Sequence, residues 1–292
     1  MRRFASLLLP LDGSPEAAKG AGCALWLAQA LDATLHVLHA GAQPFPAHEA
    51  LARLHVAGVQ QPRIVLHQVA GNAEAAVLKA IAEQRVDLVA MSARGESASG
   101  GLGLPRRMGT VAQSVIERCP VPILLFPARY REALPWTSMV VAASGEMAAD
   151  RALEAGAHLA AALGLKVTVV HVEDGPGREG RPPLGAYADA PHHEYRRRTE
   201  EMIERGLAGC TAEECRCIGR VLLRHGDPAL LLLEQTAREG HSVLALGWHG
   251  KLGAGRALVL KRLLEEASCA LLIVRGAEKS TARLKTGEEI DG

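Results

Sequence analysis

The chain has 292 residues, with 33 Lys and Arg against 32 Asp and Glu and a formal net charge of +1. That balance excludes a global pull toward nucleic acid or an anionic bilayer, and three Phe, three Tyr and three Trp are too few for a stacking platform on single-stranded nucleic acid. No apolar run approaches the ~18–20 residues of a membrane helix, and the start, cut by Pro10 and Asp12, is too short for a signal peptide.

Without a secretion signal, the six cysteines are expected as reduced thiols in a cytoplasmic protein. Leu7, Leu8, Leu9 and Leu11 form an apolar run ended by Asp12-Gly13-Ser14-Pro15, which predicts a strand buried on both faces. Ser14 is placed to cap a helix with Pro15 at its first position. Ala17, Ala21, Ala24, Leu25, Ala28 and Leu31 recur at helical spacing and predict one helix over 16–31. A strand over 34–39, a loop marked by Pro44 and Pro46 and a short helix near 48–56 follow. Then come a strand over 63–69 ending at Ala70-Gly71-Asn72, a helix over 73–84 and a strand over 86–91. Residues 92–107 are rich in Gly and Ser, 110–118 read as a helix, and 121–126 as a strand guarded by Pro120 and Pro122. The order βαβαβαβαβ predicts a parallel sheet with right-handed crossovers and helices on both faces.

From residue 138 the pattern returns. SLLLPLDG at 6–13 reappears as SMVVAASG at 138–145, an offset of 132. Asp12 and His39 are 27 positions apart, as are Ser144 and His171; Gly71 and Gly95 are 24 apart, as are Gly226 and Gly250. A repeat this long is a duplicated domain rather than a solenoid unit of ~20–50 residues. Domains over 1–128 and 137–276 are expected, each long enough to bury its own core.

The second copy carries a longer stretch at 173–219. It opens with Gly175-Pro176-Gly177 and Arg181-Pro182-Pro183 and continues as a polar helix over 193–206, serving as a lid, a docking surface or a solvated excursion. Arg196-Arg197-Arg198, set among Glu194, Glu200 and Glu201, reads as a solvated helix face. Cys210, Cys215 and Cys217 have the spacing of neither a zinc knuckle nor a thioredoxin-type pair. Despite neighbouring His192 and His193 they read as ordinary thiols, and no metal site is expected.

Parallel sheets of this kind bind ligands beyond the carboxyl ends of the strands, where the winding direction reverses. Asp12 and the Gly-rich segment after the fourth strand meet there. Glycines let backbone N–H groups approach a phosphate, and a helix start adds partial positive charge. Gly109-Thr110 therefore offers N–H groups and a hydroxyl to phosphate oxygens, and Asp12 offers acceptors to a ribose hydroxyl or an adenine amine. The bland readings are an ordinary strand-to-helix turn at Asp12 and a plain loop over 95–103. No Gly-Lys-Ser or Gly-Lys-Thr is present, and Gly101-Leu102-Gly103 and Gly253-Ala254-Gly255 lack the third Gly of a dinucleotide fingerprint, having Arg106 and Leu258 there. His39 and His171 sit at equivalent strand positions and read as structural.

With these residues in view, the chain resembles the universal stress protein family in its tandem two-domain form, over about 4–127 and 137–275. The resemblance rests on Asp12, Val37-Leu38-His39, Gly71-Asn72, Val86-Asp87-Leu88-Val89-Ala90-Met91, Gly109-Thr110-Val111-Ala112 and Cys119-Pro120-Val121-Pro122. It implies an α/β fold of two tandem Rossmann-like (adenine nucleotide alpha hydrolase-like) domains. Each would be a five-stranded parallel sheet, the two packed through their fifth strands as an intramolecular pseudo-dimer.

The resemblance also implies ATP, with Mg, held by Asp12, Ala40, Met91, Ser92, Gly95, Gly109 and Thr110. Association of chains and an unidentified protein partner are implied as well. Members that bind ATP carry G-x-x-G, nine residues, then Gly-Ser or Gly-Thr. Here Ser92 replaces the first Gly, and 13 residues separate Gly95 from Gly109. The second half keeps Gly247-Trp248-His249-Gly250, with His249 positioned to meet an anion, but Ser144 stands for Asp12 and Ala257-Leu258 for Gly109-Thr110. Nucleotide is therefore expected in the first half, the second being a structural or partner-binding copy. The alternative is a nucleotide-independent scaffold whose pockets take a protein or another small molecule. Slow ATP hydrolysis ranks third, because no general base or metal carboxylate follows the fourth strand.

Overall fold

A computed structural model describes residues 4–56, 63–95, 108–131, 133–173, 193–250, 252 and 257–276. The readings placed on 97–103, 106, 175–183, 192 and 253–255 lie outside these residues. The first half runs β1 (Ser6–Pro10), α1 (Pro15–Ala18), α2 (Ala21–Ala30), β2 (Thr34–Gly41), α3 (Ala47–Arg53), β3 (Arg63–Ala70), α4 (Ala73–Glu83), β4 (Leu88–Ser92), α5 (Thr110–Arg118) and β5 (Ile123–Phe126). The second runs β6 (Ser138–Ala143), α6 (Met147–Leu163), β7 (Lys166–Glu173), α7 (His193–Gly206), α8 (Ala212–Cys215), β8 (Ile218–His225), α9 (Pro228–Glu239), β9 (Ser242–Trp248), α10 (Leu258–Glu266) and β10 (Ala270–Arg275).

The strands form one ten-stranded sheet in the order β3-β2-β1-β4-β5-β10-β9-β6-β7-β8. Pairing is parallel within each half, as at β1/β4 and β6/β9. At the seam it is antiparallel, with Leu125 opposite Leu271, Leu124 opposite Leu272 and Ile123 opposite Ile273. The fifth strands thus join the halves as a pseudo-dimer, and neither leaves an open edge there to template aggregation.

Two apolar layers sandwich the sheet, and this explains the unbroken Leu run at the start. Leu7 and Leu9 face the layer built by α2 and α6, while Leu8 faces the layer built by α4, α5, α9 and α10. All three are 0% exposed, and each fully buried leucine contributes about 1.5–3 kcal/mol. Both layers run through both halves.

The helix expected over 16–31 is two helices, broken at Lys19-Gly20. Ser14 Oγ accepts from the Ala17 N–H at 3.1 Å and starts the first. The break lies over the ring of Phe126, where a Cβ on Gly20 would come within 1.9 Å of a ring carbon. Closing the first half's sheet with a phenylalanine requires a backbone without a side chain at that point.

Candidate functional site: a cavity beyond the first half's sheet

Each half has the local strand order 3-2-1-4-5, so its winding reverses between the first and fourth strands. At that crevice in the first half lies a cavity of about 320 Å³. β1 and its exit supply Pro10, Leu11 and Asp12; β2 supplies Leu38 and Ala40; β4 and the turn after it supply Met91, Ser92, Arg94 and Gly95. Ala73 and Val77 of α4 and Gly109, Val111 and Ala112 at the start of α5 close it. The lining is apolar toward Leu38, Val77 and Met91 and polar toward Asp12, Arg94 and the start of α5, which suits an amphiphilic small molecule.

Six of the seven residues singled out in the sequence line this cavity: Asp12, Ala40, Met91, Ser92, Gly95 and Gly109. Thr110 does not; it is exposed as the first residue of α5. Three of the six have polar groups already engaged. Asp12 Oδ1 accepts from the Ser14 N–H at 2.9 Å and from the Ser14 hydroxyl at 2.7 Å, so the strand-to-helix turn is built as well as the cavity wall. The Ser92 hydroxyl donates to the Ala17 carbonyl at 3.0 Å. The Gly109 N–H, expected to face phosphate, donates instead to the Ala93 carbonyl at 2.8 Å. That bond lays the start of α5 against the turn after β4. No side chain caps this nine-residue helix, and its first-turn N–H groups have no intrahelical acceptor.

Gly95 and Gly109 lie side by side: a Cβ on Gly109 would sit 3.8 Å from the Gly95 nitrogen. A Cβ on Gly95 would come within 2.3 Å of Asp12 Oδ2. Glycine at 95 is therefore what lets the chain at that position lie against the aspartate. Arg94 is the lining residue that sequence reasoning passed over. Its signal was its place in Ser92-Ala93-Arg94-Gly95, where a cation beside a glycine turn suits an anion. His39 is buried behind the site, its Nδ1–H donating to the Leu11 carbonyl at 3.0 Å and its ring stacked on Phe45 at 4.3 Å. His171 repeats the bond onto the Ala143 carbonyl at 2.8 Å. Both histidines hold the end of a first strand, as expected of structural residues.

The corresponding crevice of the second half is built differently. Ser144 replaces the aspartate, and Glu146 and His249 pair across the mouth. Gly247 lets α6 approach β9 so closely that a Cβ there would lie 2.3 Å from the Ala148 carbonyl carbon. Ala257 precedes α10 as Gly109 precedes α5, but in the left-handed region, at φ 56°.

The model of the universal stress protein family matches residues 41–127 and 135–275. The chain belongs to the universal stress protein family. A universal stress protein encoded in the QAH/OAS sulfhydrylase 3′ region of Thermus aquaticus is 33% identical over 141 residues, covering 42% of this chain and 98% of that protein. That single-unit relative against two matched segments here agrees with tandem copies. Among solved structures, a universal stress protein from Archaeoglobus fulgidus has a TM-score of 0.62 at 17% identity, covering 94% of this chain and 99% of that one. A functionally unknown protein from Pseudomonas aeruginosa has a TM-score of 0.63 at 14% identity, covering 94% and 93%. At such identities the two structures speak to the fold alone. In this universal stress protein no helix among the described residues is long and apolar enough to cross a membrane, and none of the six cysteines is in a disulfide.

Proposed function

We propose that this universal stress protein is a nucleotide-responsive binding module of the cytosol. Its first half holds an adenine nucleotide such as ATP, and its second half serves as the structural or partner-binding copy. The observation that carries the reading is the convergence of Asp12, Arg94, the Gly95/Gly109 pair and the uncapped start of α5 on one cavity. A planar base fits the apolar end, against Ala40, Val77 and Met91. Asp12 Oδ2 accepts from a ribose hydroxyl. The phosphates meet Arg94 and the first-turn N–H groups of α5, where the helix dipole favours negative charge, with Mg as counter-ion. The output is a change in what the protein binds, either an unidentified partner or a second copy of the chain.

A nucleotide-independent scaffold is the second reading. It draws on the engaged state of Asp12 Oδ1, the Ser92 hydroxyl and the Gly109 N–H, which leaves fewer groups for a ligand. The two are separated by purifying the protein without added nucleotide, denaturing it and identifying any released small molecule. The module reading expects about one adenine nucleotide per chain, absent from Gly109→Val. That side chain fits by ordinary contact at its Cβ and projects into the cleft beside Gly95. An empty protein that shows no thermal shift in millimolar ATP would establish the scaffold reading instead.

A further inference from the structure

The stretch between β7 and β8 lengthens the second half relative to the first, and its described end is fastened to α6 both by Arg205, which bonds to Asp150 at 2.6 Å, and by a cluster around His158. His158 of α6 is 7% exposed, and its two ring nitrogens face different groups. Nδ1 stands 2.9 Å from Glu214 Oε1 and 3.9 Å from Cys210 Sγ. Nε2 stands 3.5 Å from Glu154 Oε1, one helical turn back. One donor atom each from His158, Cys210 and Glu214 lies within 4.8 Å of the others.

The carboxylate is held for this arrangement. Glu214 Oε2 accepts from the Thr211 N–H at 2.7 Å while Thr211 Oγ1 accepts from the Glu214 N–H at 3.3 Å, a capping box that leaves Oε1 turned toward the imidazole. The Thr211 N–H is also the main reason that the Glu214 carboxyl is held below the usual carboxylate range. Glycines permit the close approach of the two segments: a Cβ on Gly209 would lie 2.2 Å from Glu154 Oε1, and one on Gly206 2.8 Å from a Leu153 methyl.

We propose that His158 Nδ1, Cys210 Sγ and Glu214 Oε1 form a binding site for a divalent cation of the zinc class, with Glu154 orienting the imidazole from behind. Tetrahedral zinc with nitrogen, sulfur and oxygen ligands holds them about 3.3–3.6 Å apart; the 2.9 Å and 3.9 Å separations seen here straddle that range and reach it by small side-chain rotations. A thiolate, a carboxylate and a neutral imidazole carry two negative charges, which balance the cation, and the thiol proton passes to solvent on binding. The sulfur disfavours magnesium and calcium, which take oxygen ligands. A carboxylate on the far nitrogen of a ligating histidine is the arrangement that fixes its tautomer and raises its basicity. Position 158 corresponds, at the offset of 132, to Trp26, which packs edge-on against Trp136 at 5.2 Å. The site belongs to the second half alone, and it ties the added segment to the core.

Cobalt(II) titration of the full-length, chelator-treated protein tests the assignment. One equivalent should bind with thiolate-to-cobalt charge-transfer absorption and tetrahedral d–d bands, and zinc should displace it. Cys210→Ser should abolish the charge-transfer band, Cys215→Ser should retain it, and Glu154→Gln should keep the band while weakening affinity about tenfold. Saturation without a thiolate band, or a band that survives Cys210→Ser, overturns the site. The parent spectrum and the Glu154→Gln shift decide the matter even where the Cys210 variant folds poorly. None of these readouts depends on nucleotide.

Discussion

Asp12 serves two ends with its two carboxylate oxygens. Oδ1 holds Ser14 and so starts α1, while Oδ2 faces Gly95 over the cavity. Asp12→Asn separates these duties. The amide oxygen still accepts from Ser14, so the thermal midpoint should stay within a few degrees of the parent. The charge-assisted acceptor for a ribose is lost, at about 1.5–3 kcal/mol, which is roughly tenfold to over a hundredfold in ATP affinity by isothermal titration. Equal affinity in parent and variant would remove Asp12 from the proposed site. The place of Asp12 on the cavity was legible in the sequence because it ends the apolar run of the first strand, and a crevice of this fold lies beyond that strand end. Arg94 was legible only from its place beside the glycine turn, and His158 was not, since Cys210 and Glu214 lie far from it in the chain. The three cysteines at 210–217 looked inert by spacing, because a spacing rule cannot see a histidine more than fifty positions earlier.

The elements followed the apolar pattern closely, and the misreading at 16–31 shows where periodicity fails. Helical spacing records which residues point inward. It carries no record of what stands opposite, and at Gly20, where the helix breaks, that is the ring of Phe126. Gly20→Ala should restore helix propensity yet destabilise the protein by about 1–3 kcal/mol, the usual cost of overpacking, measured as a lower urea midpoint. A neutral or stabilising effect would mean that Phe126 shifts aside readily and does not cause the break. The helix start at Thr110 was read from the first half alone, and aligning the two halves placed Leu258 at the corresponding position. What that reading missed at the first is local: Gly109 spends its own N–H on Ala93.

The molecule as a whole is one sheet rather than two. Both apolar layers cross the β5/β10 seam, with Leu124 and Leu272 in one and Leu125 and Leu271 in the other. Unfolding one half would expose the seam strand and the adjoining side of both layers in the other. Calorimetry should therefore show a single transition whose van't Hoff and calorimetric enthalpies agree, and two resolved transitions would contradict this coupling. Within that symmetric frame the two crevices differ, with Asp12 and Arg94 at one and the Glu146–His249 pair at the other. The most direct test of a functionally unequal pair is a crystal structure grown in millimolar ATP. The nucleotide should lie beside Asp12, Gly95 and Gly109, with none beside Ser144 and Gly250. A nucleotide found only in the second half would contradict the account.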